Sequence, residues 1–253
     1  MTGLSDFTGR SALVTGAASG IGAACANALA ERGSAKLFLI DVDEAGLAAL
    51  DLGDTEVVRI TGSVADEALW NDLQPQLAGL DDAIVNAGIG AGGALADLTM
   101  DEWRTVMGVN LDGAFLTLRA ALNAMEASGG SVVVTASVTG IKPVPGVGPY
   151  GVSKAAVAHM ARIAAVEGAP KGIRVNAIAP GGVDTAIWDS GAEFRDAVAK
   201  HGREATLRTM AGTTPLGRFA TAGEAANDIL YMLSDAGANL TGHVLVSDGG
   251  FSL

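Results

Sequence analysis

Short apolar runs recur along the chain and alternate with stretches in which apolar residues return every three or four positions. The first run is Ser11–Thr15, and Ile21, Cys25, Ala28 and Leu29 then recur at helical spacing up to Arg32. Residues 36–40 form a second strand ending in Asp41, and residues 56–60 a third. Leu69, Trp70, Leu73 and Leu77 give the next helix an apolar stripe that belongs to a core. A fourth strand covers residues 83–85. Thr99-Met100-Asp101-Glu102 then reads as a capping box opening a long helix with Asn110 in its interior. Val132, Val133 and Val134 mark a fifth strand, followed by a Gly/Pro-rich loop and a helix from Tyr150 to Gly168. Residues 173–179 and 243–246 complete the strands, and Thr221-Ala222-Gly223-Glu224 caps the helix before the last one. This alternation predicts an α/β fold, a doubly wound parallel sheet with helices on both faces.

Residues 184–215 break the rhythm. Ile187, Trp188 and Phe194 are apolar without amphipathic order, while Arg195, Lys200, His201, Arg203 and Arg208 gather positive charge. An insertion beside the ligand edge of a sheet suits a substrate lid.

Composition narrows the picture. The 253 residues contain no long linker, charge block or short repeat, so a single domain over 1–253 is expected. Hydrophobic residues make up 49% and aromatic residues 4% beside 35 glycines, which suits layers packed on small side chains. A net charge of −12 argues against nucleic acid or an anionic membrane as partner, since both repel an acidic surface. Cys25 is the only cysteine, which excludes an internal disulfide and fits a reducing cytoplasm. Residues 11–30 carry no charge, yet Gly16, Gly20, Gly22, Thr15, Ser19 and Asn27 make them unsuitable for secretion or membrane insertion.

The candidate chemistry sits where strands end. TGAASGIG at 15–22 joins a strand to a helix N-terminus, where glycines admit a phosphate close to the backbone and free N–H groups face its charge. Asp41 follows 25 residues after Gly16, at a strand tip where a carboxylate accepts hydrogen bonds from ribose hydroxyls and repels a 2′-phosphate. No Arg or Lys lies in the glycine loop, so NAD is preferred over NADP. Tyr150 and Lys154, four apart, share a helix face, where an ammonium can stabilise an ionised phenol. Ser137 ends the fifth strand and can meet that phenol. No carboxylate/His spacing calls for a metal, and none of His159, His201 and His243 is needed as a base.

With these motifs in order, the chain resembles the short-chain dehydrogenase/reductase family in its compact single-domain branch, from Arg10 to Phe251. The ordered set is TGAASGIG, Asp41, NAG at 86–88, Asn110, Ser137, Tyr150-x-x-x-Lys154 and PGGVDT at 180–185. The resemblance implies a Rossmann-type sheet and a cofactor site of Gly16, Ser19, Ile21 and Gly22 at the pyrophosphate and Asn86 and Gly88 beside the adenosine. Ser63 and Val64 would meet the adenine, where Ser63 replaces the family's usual Asp. Val85 replaces the first Asn of a common Asn-Asn-Ala-Gly. Pro180, Gly181, Val183 and Thr185 would lie toward the nicotinamide, with Tyr150 and Lys154 also touching the cofactor. Tyr150 would be the acid/base, Ser137 would hold the substrate oxygen, Lys154 would hold the nicotinamide ribose and depress the tyrosine pKa, and Asn110 would anchor a water relaying the proton.

The expected function is an NAD-dependent interconversion of a secondary alcohol and a ketone, with Val138, Val144, Ile187 and Trp188 walling an apolar substrate pocket. One alternative is a 3-oxoacyl-carrier-protein reductase, against which Asp41 and the acidic surface both argue. Another is a non-catalytic nucleotide-binding protein of the same fold. The partner is a small alcohol or ketone. Alanines at 155, 156, 158, 161, 164 and 165 allow close helix approach, and the resemblance implies a homotetramer or dimer.

Overall fold

The computed structural model describes residues 6–90, 92–190 and 192–253. The first half comprises β1 (Ser11–Thr15), α1 (Gly20–Glu31), β2 (Lys36–Asp41), α2 (Glu44–Ala48), β3 (Glu56–Thr61), α3 (Glu67–Leu73) and β4 (Asp82–Val85). Next come α4 (Met100–Met107), α5 (Gly113–Ala124), β5 (Gly130–Thr135), α6 (Gly148–Gly168) and β6 (Ile173–Pro180). The chain closes with α7 (Ala192–His201), α8 (Arg203–Met210), α9 (Ala222–Leu233) and β7 (Val244–Ser247).

All seven strands pair in parallel in the order β3-β2-β1-β4-β5-β6-β7. The order reverses between β1 and β4, and a crevice opens at the carboxyl ends of parallel strands at such a point. Both sheet faces are covered, which explains why the inner strands are apolar, while the edge strand β3 leaves Glu56, Arg59 and Thr61 exposed. Leu37 and Leu39 of β2 face a layer made by α1, α2 and α9, with Cys25, Leu29, Leu47, Ile229 and Leu233. Phe38 and Ile40 face the opposite layer, where α3, α5 and α6 contribute Trp70, Leu118, Val157 and Ala161. The alanines of α6 at 158, 161, 164 and 165 are buried against the sheet.

Several expectations change in detail. β2, β3 and β6 each run one residue further than the apolar runs suggest, while β7 begins at Val244. His243 stays outside the strand, its N–H donating to the Asn176 side chain at 3.1 Å. The predicted capping box is present: Glu102 N–H reaches Thr99 Oγ1 at 3.2 Å, and Thr99 N–H reaches Glu102 Oε2 at 2.8 Å. The helix it opens is interrupted, however, by a π-turn over Gly108–Asp112 that contains Asn110. The irregular segment contains a 3₁₀ turn (Ala186–Ser190), then α7 and α8 and a second 3₁₀ turn (Ala211–Thr213); Gly191, inside the expected lid, lies outside the described residues.

At the amino end of the central strand β4, opposite the crevice, Asp82 is fully buried, and its Oδ1 accepts from Arg10 Nη2 at 2.6 Å. Its Oδ2 has no hydrogen-bond partner among the described residues. Burial pushes this carboxyl up to about 8 against the pull of Arg10, with Asp81 adding to the rise and Arg174 and Asp235 acting more weakly in opposite directions. An unfolded carboxyl titrates near ~4, so the folded chain holds this proton more tightly. The associated stability is complete below about pH 4 and is lost as pH rises through the folded value. Asp82→Asn, which keeps the shape without titrating, should therefore lose less stability between pH 5 and pH 8 than the unsubstituted chain in urea unfolding. Identical pH slopes in the two proteins would show that Asp82 is already charged in the fold.

Candidate active site

The turn after β1 is shaped by what its glycines leave out. Gly16 has φ +66°, and a Cβ there would stand 2.9 Å from both Ala87 Cα and Asn86 Nδ2. A Cβ on Gly22 would lie 1.9 Å from the Gly16 carbonyl oxygen, so any side chain at this position would force the turn away from the helix. Asn86 fastens the turn to the end of β4: its Nδ2 donates to Thr15 O at 3.0 Å, and its N–H donates to Thr15 Oγ1 at 3.0 Å. Ser19 occupies the N-cap of α1 without a side-chain capping bond, and no acidic residue sits in the first turn. The N-terminal N–H groups at Ile21 and Gly22 thus meet no carboxylate of their own helix, and with the helix dipole they fit a pyrophosphate.

Asp41 stands beside this turn. One carboxylate oxygen accepts from Ala18 N–H at 3.0 Å and the other from Asp43 N–H at 3.0 Å. Each oxygen keeps a second lone pair for a ribose hydroxyl. The cap of α2 is Asp43, through Gly46 N–H at 3.0 Å, so Asp41 is not that helix's cap. At the expected adenine wall, Ser63 Oγ accepts from Ala65 N–H at 3.2 Å. Val64 is buried, and its carbonyl accepts from the Trp70 indole at 2.8 Å.

The four residues singled out for proton chemistry converge where β4, β5, α6 and the π-turn meet. Asn110 makes a reciprocal pair with the backbone of Ile89: its Nδ2 donates to Ile89 O at 3.0 Å, and its Oδ1 accepts from Ile89 N–H at 2.8 Å. Its Nδ2 also reaches Ser153 Oγ at 3.2 Å, and Ser153 Oγ donates to Tyr150 O at 2.7 Å. Gly88 closes this corner, since a Cβ on it would stand 3.2 Å from Asn110 Oδ1 and 3.3 Å from Lys154 Nζ. The Lys154 ammonium donates to Thr135 O at the end of β5 at 2.7 Å and lies 5.7 Å from the centre of the Tyr150 ring.

Ser137 follows the end of β5 in extended backbone, and its Oγ accepts from Thr139 N–H at 3.2 Å and from Thr139 Oγ1 at 3.0 Å. Its own proton is left to donate, and the hydroxyl lies close enough to the Tyr150 phenol to lower its pKa. Burial raises the phenol above its ordinary value while the nearby Ser137 hydroxyl opposes the rise. Burial pulls Lys154 down to about 8. The expectation that Lys154 depresses the Tyr150 pKa is therefore not met in this arrangement, because the ammonium is turned to the Thr135 carbonyl and desolvation governs the phenol.

The segment expected at the nicotinamide end forms the next wall. Pro180 ends β6, and Gly181 N–H donates to Ser247 O at 2.9 Å. Val183 is buried and bridges to Ala220, while the Thr185 side chain lies against Gly20, whose Cβ would come within 3.2 Å of Thr185 Cγ2. The expected substrate wall fares differently. Val138 is 4% exposed in the 3₁₀ turn after Ser137, so it presents little surface to a ligand. Val144 is half-buried and Ile187 exposed. Trp188 is an anchor: its indole donates to Val183 O at 2.8 Å, and its ring stacks on Phe219 at 5.4 Å and meets Phe194 at 6.2 Å. A surface cavity of about 490 Å³ between α3 and α5, lined by Trp70, Gln74 and Arg119 among others, contains none of these site residues.

Three hydroxyls that position the site, Thr15, Thr139 and Ser153, carry no pattern of their own in the sequence. Only their spacing relative to Gly16, Ser137 and Tyr150 could have pointed to them.

A family model described as Enoyl-(Acyl carrier protein) reductase matches residues 16–252. The cis-4-hydroxycyclohexanecarboxylate dehydrogenase of Sinomonas cyclohexanicum is 39% identical over 257 residues, covering 97% of this chain and 98% of that protein. An NADP-dependent (R)-specific alcohol dehydrogenase of Lentilactobacillus kefiri is 32% identical, covering 96% of this chain and 97% of its own. The crystal structure of a short-chain type dehydrogenase/reductase from Mycobacterium marinum superposes with a TM-score of 0.85 at 32% identity, covering 98% of both chains. With its parallel sheet, glycine turn and Ser137, Tyr150 and Lys154 gathered at one strand edge, the chain belongs to the short-chain dehydrogenase/reductase family of oxidoreductases.

Proposed function

We propose that this protein is an NAD(H)-dependent dehydrogenase that interconverts a secondary alcohol and a ketone, with the alcohol carried on an alicyclic ring. The observation that carries this reading is the buried Lys154, bonded to Thr135 O and 5.7 Å from the Tyr150 ring with Ser137 just beyond β5, at the crevice that the glycine turn and Asp41 border. The ring is supported by the similarity to a cis-4-hydroxycyclohexanecarboxylate dehydrogenase. The bound nicotinamide supplies the acceptor or donor of hydride.

The chain's own residues handle binding and the proton. Gly16, Ser19, Ile21 and Gly22 bind the pyrophosphate, and Asp41 accepts from the adenosine ribose. Ser63 and Val64 border the adenine, Asn86 and Gly88 line the adenosine side, and Pro180, Gly181, Val183 and Thr185 border the nicotinamide. The Ser137 hydroxyl donates to the substrate oxygen and stabilises charge developing there. Tyr150 exchanges a proton with the same oxygen, and its burial keeps it in the acid form, the one that protonates a ketone. Lys154 holds the cofactor ribose, and its depressed pKa makes it a ready proton donor and acceptor behind the phenol. Asn110 holds the Ile89 loop and Ser153, and anchors a water that passes the proton from the Lys154 side to solvent. Val144 and Ile187 border the substrate in a single domain whose lid is the segment over 184–215.

The same reading makes the protein a cytoplasmic homo-oligomer. Among the described residues no helix is long and apolar enough to cross a membrane. Val152, Ile163 and Val166 are exposed on the outer side of α6, and Phe115 is exposed on α5, a surface suited to a second copy. A carrier-protein substrate fits less well with a chain of net charge −12.

Tyr150→Phe removes the proton-carrying oxygen without changing the ring. Turnover of cyclohexanols or hydroxysteroids should fall at least about a thousandfold, while NADH binding stays within a few-fold in fluorescence titration. Retained turnover in that variant would reject the mechanism. In the unsubstituted protein NAD should be used in preference to NADP, and Asp41→Ser should narrow the difference by roughly tenfold or more, since a carboxylate beside a 2′-phosphate is repulsive. A stronger NADP activity before substitution would overturn the cofactor assignment. Light scattering should report a dimer or tetramer of the 25.2 kDa chain, shifted toward monomer by the double substitution Ile163→Glu and Val166→Glu. A monomeric unsubstituted protein would remove the oligomer from the reading.

A further inference from the structure

The wall formed by residues 183–189 is held at two points by the fold itself. Val183 is bridged to Ala220, and Trp188 bonds back to Val183 O and stacks on Phe219. Between these points lie Asp184 and Thr185, the latter packed against Gly20 of the glycine turn. A side chain from another element reaches this interval. Arg203, the first residue of α8, donates through Nε and Nη2 to Asp184 Oδ1 at 3.0 and 2.7 Å, and through Nη2 to Thr185 O at 3.0 Å. Its Nη1 donates to Asp189 Oδ1 at 2.8 Å, and its guanidinium lies 5.4 Å from the centre of the Phe194 ring.

A cation at the first position of a helix lies at the wrong end of the helix dipole, so its place here is favoured by the two carboxylates rather than by α8. Isolated exposed ion pairs contribute little, but one planar fork that engages two carboxylates, a carbonyl and a ring restrains three parts of the wall together with Phe194 of α7. Lysine cannot reproduce that geometry, because its ammonium is a single point of charge on a flexible stem.

We propose that Arg203 is a positioning residue that holds Asp184 and Thr185 against the glycine turn, and so sets the cofactor-facing wall of the site from the far side of the lid. The proposal rests on the reading of this crevice as the dinucleotide site. It extends that reading by giving a residue outside every recognised motif control over cofactor affinity. Arg203 acts through Asp184 and Thr185.

The test compares Arg203→Met, which keeps the apolar stem, with Arg203→Lys. In NADH fluorescence titration the Met variant should bind roughly tenfold more weakly, and the Lys variant should recover only part of the loss. KM for cofactor should rise more than kcat falls. In the unliganded protein, chymotrypsin should cut after Trp188 or Phe194 several-fold faster in the Met variant, while its thermal midpoint stays close to that of the unsubstituted chain. Unchanged NADH affinity together with unchanged cleavage would overturn the proposal, and so would full recovery by lysine. Should the unsubstituted protein fail to bind NADH, the dinucleotide reading falls, and the cleavage comparison still decides whether Arg203 holds this wall.

Discussion

The site depends on a buried cation. Lys154 is almost wholly enclosed, in a chain of net charge −12, and its ammonium is held by the Thr135 carbonyl without a carboxylate in reach among the described residues. Removing an ammonium from water is costly, and the cost is visible in a pKa pulled down to about 8. The fold retains it because the bond draws α6 onto the end of β5. That contact brings Tyr150, one turn earlier on α6, to Ser137 just beyond the strand. Gly88 permits the approach from the other side, since any larger residue would crowd both Lys154 and Asn110. The charge is also the reason a site can form here: an ammonium kept dry and only singly bonded retains donors for a ligand.

Much of this was legible in the sequence because the relevant constraints are local. Apolar runs mark strands that must be buried on both faces, and the order of motifs places each at a strand end. Thr99 and Glu102 announced a helix start that the structure reproduces, as two hydrogen bonds within four residues require nothing from the rest of the chain. Gly16, Gly22, Asn86 and Asp41 likewise come together because neighbouring parallel strands bring their ends to one edge. What could not be read is whatever depends on competition between distant groups. The i and i+4 spacing of Tyr150 and Lys154 suggested a phenol made acidic by its neighbour, but spacing is silent about desolvation and about the Thr135 carbonyl, which takes the ammonium's bond.

The lid shows the same limit in its packing. Trp188 and Ile187 are adjacent and apolar, and both read as substrate wall. The structure separates them: Ile187 is exposed, while the Trp188 indole is fixed by the Val183 carbonyl and the Phe219 ring. The deciding residue is 31 positions downstream, and Gly182 is what admits it, since a Cβ there would stand 2.3 Å from the Phe219 ring. A pair of glycines after a strand permits a turn. Gly182 serves equally as the space in which an aromatic ring docks the lid to the sheet.

The π-turn at Asn110 joins these themes. A regular helix advances about 100° per residue, so one residue accommodated in a wider turn rotates everything beyond it relative to the preceding face. From that turn the Asn110 amide meets Ile89 with one donor and one acceptor, the pairing a neighbouring strand would offer, so the backbone beyond β4 is satisfied where the sheet has ended. The same amide bonds Ser153, which bonds the Tyr150 carbonyl on α6. One side chain therefore ties the loop after β4 to the helix that carries the phenol. An uninterrupted helix through residue 110 would satisfy its own backbone better and would turn Asn110 away from at least one of these partners. The irregularity is best understood as the local cost of joining β4 and α6 through a single polar side chain, which explains why it falls at Asn110 rather than elsewhere along α4 and α5.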